Sequence, residues 1–581
     1  MDFPPELAIF KGRLNNHWIT KLTDSLMNFQ EKDSVPTLSN WYVHVRNLLK
    51  KEEQPHSELW GLFSKLAWIQ ADVDLIIRNL DLLIKNARSQ KDYLLLFYVG
   101  AGISEFMNTW NGLKIMEESF LHLKASKDWD ALLDIALPYI LILSNVDDNE
   151  TFKNVYNEVK RIFKENLNSK SEYNYLFFPV RLFASKKDIE KDQVNQAEVI
   201  KVCEESGHHF NTGVAYTLLS HQTETKKPFK DHLEDAILQF QEINARNRLI
   251  IAYANLAKQF ASKAKHEKAS DAFSKAFSIV NEISRSRERI VRESVSVYPL
   301  SLKAWLFVEN GQLTEARNAY EEAARLSHSC NHTLYQIKAE FGLASVFFLE
   351  SQDELALTHA QKALSIFNEG KIKNKELQNS LQLKYAELLT DLNKLDEVPG
   401  ILEKVDRNNL NKCSKVYYDY INGKFELNRH NIGTAKIFLL DAMKKVEKCS
   451  SLRPTLLITL AEGFLHEYRI SEDTKILQEA QEMVSDSLES IVDIPNRAKG
   501  KCLSAILLSA QGRDEEAEKL LETLTDSSSN TIPRFQSLAE KILENIRDNR
   551  IGRVNITPIT NIRDVLRYLQ DAKTMIDTQP R

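Results

Sequence analysis

Glycine and proline are scarce, 17 and 14 in 581 residues. With so few breakers beside abundant Leu, Ala, Lys, Glu and Gln, the composition favours helices throughout. Cysteine is scarcer still. The five, Cys203, Cys330, Cys413, Cys449 and Cys502, are odd in number, widely scattered and form no CxxC pair. The expectation is unpaired thiols in a reduced, intracellular compartment, with a cytoplasmic location favoured and the nucleus left open. No apolar run reaches ~18 residues, so no membrane span is expected. Met1–Glu6 has no basic segment followed by an apolar stretch, so no secretory signal is expected either. The sequons at Asn149, Asn331 and Asn555 then carry no weight.

A basic excess is also missing. Net charge is −5 and the pI is near 6.3, which weighs against a general nucleic-acid surface. No catalytic constellation stands out. Gly100-Ala101-Gly102 is not followed by the glycine of a dinucleotide loop, and reads as close helix packing. A Gly-rich phosphate loop, a nucleophile elbow and an HExxH are all lacking. The expectation is a protein that is not an enzyme and holds no cofactor and no metal.

What is present is a repeat. From Tyr253 to Leu326 a helix, a turn and a second helix occur twice. Tyr253, Leu256, Ala257 and Phe260 share one helical face, and Ala269, Phe273 and Ala276 share the next. Leu300, Ala304 and Phe307 then precede Asn310-Gly311-Gln312, and Ala316, Tyr320 and Ala323 repeat the small–aromatic–small triplet. Further second-helix triplets follow: Ala356-Ala360-Ala363, Val398-Leu402-Val405, Ala435-Leu439-Ala442, Ile476-Ala480-Met483 and Ala517-Leu521-Leu524. Their first members are spaced 47, 40, 42, 37, 41 and 41 residues apart, counting from Ala269. Small residues on one helix allow a close crossing by the other, and no heptad persists, so the pattern is a helical solenoid rather than a coiled coil. A length prior of roughly 150 residues per domain does not apply to such stacks, because each unit packs only on its neighbours.

At these residues the chain resembles the tetratricopeptide-repeat (TPR) superfamily. Tyr253-x2-Leu256-Ala257-x2-Phe260 with Ala269-x3-Phe273-x2-Ala276 follows the family pattern closely. The period, near 41, is longer than the family's, and the proline that often ends the second helix is missing from most units. The resemblance implies an all-α fold: an α-solenoid, a right-handed superhelix of antiparallel helix pairs. The expected organisation is a helical entry or cap over 1–57, degenerate pairs over 58–248, TPR-like repeats over 249–527 and capping helices over 528–581. Function does not follow from fold, but the resemblance implies a scaffold or adaptor that holds a protein or peptide partner in its groove. The alternative is a sensor in which a peptide or small ligand changes the superhelix.

Mapping the family's groove positions onto this chain marks Trp305, Phe341, Phe348, Tyr417, Tyr420 and Lys424 as candidate partner contacts. Packing between repeats is the competing reading for all six. Lys258 and Lys338 stand isolated beside the family's carboxylate clamp, so a chaperone tail is not expected. The 47-residue step contains Arg285, Arg287, Arg289 and Arg292, either a solvated helix extension or a contact for an anion or acidic partner. His328-Ser329-Cys330-Asn331-His332 holds three potential ligands, but it falls where a helix should end and is not read as a metal site. Six of seven tryptophans lie in the first 129 residues and are read as core filling rather than as an aromatic surface.

Overall fold

The computed structural model describes residues 3–27, 37–51, 57–107, 109–145, 149–165, 174–186, 194–220, 229–261, 265–283, 289–330, 332–369, 375–407, 410, 412–446, 452–491, 493–526 and 532–547. Among the described residues there are 29 α-helices, one short 3-10 turn and no strand. The helices follow one another as hairpins, the architecture of an all-α solenoid. The chain forms two compact units, Met1–Leu302 with Glu322–Gln336, and Lys303–Glu321 with Ile337–Arg581.

The hairpins arise from local signals. Asp92, Asn195, Asp473 and Asp493 each accept a backbone N–H at the start of a helix, meeting donors that have no intrahelical partner. Gly311 and Gly512 turn the chain at φ +69° and +79°, a conformation glycine takes without strain. The first is the Asn310-Gly311 turn expected from sequence. Between Lys412–Asn428 and Ile432–Lys445 the left-handed residue is His430, φ +62°, and Gly433 lies inside the second of these helices.

The small–large–small triplets are buried. Ala269, Ala276, Ala316, Ala323, Ala356, Ala360, Ala363, Ala435, Ala442 and Ala517 are fully enclosed, with Phe273, Tyr320, Leu439 and Leu521 between them. The opposing helix supplies the space. A Cβ on Gly342 would lie 2.3 Å from the Tyr320 ring, and one on Gly423 would lie 2.6 Å from Leu439. Gly100 and Gly112 do the same for the Tyr93–Phe106 and Thr109–Ala125 helices. A Cβ on Gly112 would meet the Gly100 carbonyl at 2.5 Å, so Gly100-Ala101-Gly102 is a close-packing motif. One triplet is out of register: the Thr474–Ser490 helix buries Leu477, Ala480 and Val484, so Ile476 and Met483 are each one position off the core face. Val398, Leu402 and Val405 are buried too, but the helix there is only five residues long, Val398–Leu402, and Val405 follows it.

Unit 1 is filled by its own N-terminal segment. Leu7, Phe10, Leu14 and Trp18 are buried, and full burial of such side chains stabilises by about 1.5–3 kcal/mol each. Phe10 lies 3.3 Å from where a Gly61 Cβ would be, and Pro5 packs near Gly207. Arg13 pairs with Asp128 at 2.5 Å. The Glu6 carboxyl meets backbone N–H groups of His209 and Phe210, the first residues of the His209–Leu219 helix. Residues expected to form an entry cap thus contact chain positions near 61, 128 and 207. Trp18, Trp41, Trp60 and Trp68 are buried with them, as core filling requires.

Two ion pairs lie inside this core. Lys65 meets Asp134 at 2.5 Å, with the two side chains 5% and 8% exposed. The Tyr98 hydroxyl donates to the other Asp134 oxygen at 2.7 Å. Arg248 meets Glu105 at 2.5 Å and its guanidinium lies 5.5 Å from the Trp68 ring. Buried charges persist only when paired and bonded in this way.

Candidate functional site

In unit 2 the first helices of successive hairpins present one stripe each to a common cavity of about 870 Å³. The Arg289–Glu309 helix contributes Trp305, and Thr333–Leu349 contributes Lys338, Phe341, Ser345 and Phe348. Lys375–Asp391 contributes Lys384, Glu387 and Asp391, and Lys412–Asn428 contributes Tyr417, Tyr420 and Lys424. Spacings of three, four and seven place each set on one helical face. Ile494–Ala510 adds Asn496 and Lys499, and Pro533–Arg547 adds Arg534, Leu538 and Lys541. All six residues marked from sequence as candidate partner contacts therefore line one cavity.

They do not line it equally. Trp305, Phe348 and Tyr417 are half-buried, whereas Phe341, Tyr420 and Lys424 are buried in the wall. Lys424 Nζ bonds Asp391 at 2.6 Å and lies 3.6 Å from Glu387. Burial works against its charge, but Asp391, Tyr420 and Glu387 outweigh burial and hold the amine well above the usual lysine range. The Tyr417 hydroxyl donates to Glu387, and the Tyr420 hydroxyl donates to the same carboxylate at 3.2 Å. Burial first, and then the Glu387 charge, raise the Tyr417 phenol well above its ordinary value. Both phenols therefore stay neutral donors, and Lys424 is a structural cation of the wall.

Lys384 behaves differently. Its side chain reaches the solvent inside the cavity while protein surrounds it. Burial and then the charge of Lys338 lower its ammonium below the usual lysine range, with Glu387 opposing. Among the described residues no carboxylate is bonded to Lys384, Lys499 or Lys541.

Arg534 brings the last described helix to the first part of the unit. Its Nε donates to the Phe348 carbonyl at 2.6 Å, its guanidinium lies 3.8 Å from the Phe348 ring centre, and it pairs with Asp353. Lys384, Lys499, Arg534 and Lys541 were not marked from sequence. The stripe Lys384-Glu387-Asp391 carries a legible helical spacing. Arg534 carries no such signal, because its contact spans 186 positions.

The remaining candidates fall elsewhere. Arg285 and Arg287 lie outside the described residues. Arg289 and Arg292 fall in the first turn of the Arg289–Glu309 helix, and their side chains are not among those described. The Leu313–Ser329 helix ends before His332, so His328 and His332 do not share a helical face. Cys330 is buried, with its thiol pushed up to about 11 by burial, and the described residues contain no group of three metal ligands. One cysteine departs from expectation: Cys413 is disulfide-bonded, whereas Cys203, Cys330 and Cys502 are free. Wide spacing in sequence does not prevent a pairing that the fold brings about. Among the described residues no helix is long and apolar enough to cross a membrane.

No family model matches the chain, and no curated protein does. Similar solved structures include yeast Tom70, at 12% identity and TM-score 0.33 over 94% of this chain and 99% of that one. The hetero-tetramer Cut9–Hcn1 of APC/C is 12% identical, with TM-score 0.34 over 94% and 98%. Aspartyl phosphate phosphatase F from Bacillus subtilis is 12% identical, with TM-score 0.30 over 78% and 96%. Likeness at this level says nothing about activity. The helix pairs themselves have the architecture that the TPR resemblance implies.

Proposed function

We propose that the chain is a non-catalytic scaffold or adaptor, and that unit 2 holds a segment of a partner protein in its cavity. One observation carries this reading: the aromatic and lysine positions of successive repeats converge on a single space of about 870 Å³. That lies within the roughly 300–1,000 Å³ usual for ligand sites. In unit 1 the corresponding role of filling the interior falls to Leu7, Phe10 and Leu14 of the chain itself.

Trp305, Phe348 and Tyr417 supply the anchors, as large half-buried aromatic surfaces do at interfaces. Ser345 lies exposed in the lining, so Ser345→Trp fills the space and gives up only the hydroxyl's bond to the Phe341 carbonyl one turn back in the same helix. Tagged wild-type and Ser345→Trp proteins, expressed at equal level in the native cell, are compared by affinity purification and quantitative mass spectrometry. Loss of one or more partners with an unchanged melting temperature is expected. An unchanged partner set would sink the proposal.

A second reading, a sensor whose conformation follows a bound peptide or small ligand, draws support from the Arg534–Phe348 contact. That contact ties the Pro533–Arg547 helix to the end of the Thr333–Leu349 helix, so an occupant that displaces it loosens the unit. Hydrogen exchange in the Pro533–Arg547 helix rises on binding if this holds, and stays constant for a rigid scaffold.

A further inference from the structure

We propose that the segment taken by the unit 2 cavity is acidic: a short stretch with carboxylates set against Lys384, Lys499 and Lys541, and a large apolar side chain against Trp305 and Phe348. The proposal rests on the partner-binding reading above. It follows from how the charges of the lining are used. Six cationic side chains line the cavity, Lys338, Lys384, Lys424, Lys499, Arg534 and Lys541, against three carboxylates, Asp353, Glu387 and Asp391. The protein as a whole carries −5, so the cavity has the sign opposite to the molecule.

The three carboxylates are already engaged in the wall. Arg534 holds Asp353. Lys424 holds Asp391 and Glu387, and two tyrosine hydroxyls donate to Glu387 as well. Lys384, Lys499 and Lys541 line the space with no carboxylate bonded to them among the described residues. Lys384 is the clearest case, since burial and the neighbouring Lys338 both act against its charge. An incoming carboxylate relieves that repulsion, and an incoming lysine or arginine aggravates it, so the site selects by sign. Arg534 and Lys424 are tied to the wall and fix its shape, while Lys384, Lys499 and Lys541 are left for the occupant.

Aromatic rings among lysines also suit single-stranded nucleic acid. The carboxylates in the wall, Asp353, Glu387 and Asp391, favour a peptide, and an oligonucleotide is therefore one arm of the test.

Fluorescence anisotropy on the full chain tests the proposal with defined probes. These are a labelled Glu-Leu-Glu-Phe-Asp-Glu peptide, its counterpart with Gln and Asn in place of the acids, and a ten-residue oligothymidylate. The acidic peptide is expected to bind at least about tenfold more tightly than the amide counterpart, and to weaken as salt rises from about 50 to about 300 mM. Lys384→Glu with Lys541→Glu should cost at least about tenfold, while Lys475→Glu, on an exposed face elsewhere in unit 2, leaves binding unchanged. Equal binding of the two peptides, tighter binding of the oligonucleotide, or no saturable binding of the acidic peptide below about 1 mM overturns it. If both peptides bind equally and Ser345→Trp abolishes both, the charge assignment fails and the partner-binding reading stands. If Ser345→Trp leaves all binding intact, both fail.

Discussion

The guanidinium of Arg534 lies 3.8 Å from the ring centre of Phe348, and its Nε donates to that residue's carbonyl at 2.6 Å. A helix start and a helix end 186 positions apart are joined by one side chain that stacks, bonds the backbone and pairs with Asp353. The contact sits in the wall of the cavity that Phe348, Asp353 and Arg534 line together.

Arg534→Ala should destabilise unit 2 by about 1–2 kcal/mol, through the lost cation–π contact and charge-assisted hydrogen bond. Urea unfolding measures this, and faster exchange of amides in the Pro533–Arg547 helix localises it. Arg534→Lys keeps the charge but loses the planar stack, and should fall between wild type and Ala.

Gly342→Ala places a Cβ 2.3 Å from the Tyr320 ring. The ring or a helix must move, at a cost of about 1–3 kcal/mol. Gly400→Ala is the control, because nothing lies within 4 Å of a Cβ there, and it should be neutral or slightly stabilising. Thermal melts of the two variants should separate clearly, and equal melting temperatures would show that the crossing is not tight.

Lys65→Met leaves Asp134 buried without its cation and should cost about 3–5 kcal/mol. Adding Asp134→Leu removes the stranded charge, although the Tyr98 hydroxyl then loses its acceptor. The double variant should recover a large part of the loss, and a double-mutant cycle by chemical denaturation reads the coupling. Strict additivity would contradict a direct pair.

His466 is a folded base held down to about 4 by burial, with Arg469 and His430 adding to the effect. Between its ordinary value near 6.5 and 4, the unfolded chain takes a proton that the folded chain refuses. Stability is therefore full above about pH 6.5 and falls as pH drops toward 4. His466→Gln should show a shallower fall in melting temperature over that window, and an identical slope would remove His466 from the cause.

Much of the fold is legible in the residue pattern. Ala316-Tyr320-Ala323 and the turn at Asn310-Gly311 are local statements, because helix period and left-handed turn geometry depend on neighbours within a few positions. The aromatic stripe positions came instead from mapping the groove positions of the family that the repeat resembles. The sequence by itself thus determined the hairpins and most of their core faces. Only the tertiary structure decided that Tyr420 and Lys424 are tied into the wall while Lys384 faces the space, that Phe10 fills unit 1, and that Arg534 meets Phe348. Those outcomes depend on how small rotations between successive hairpins accumulate, and no single helix encodes that sum.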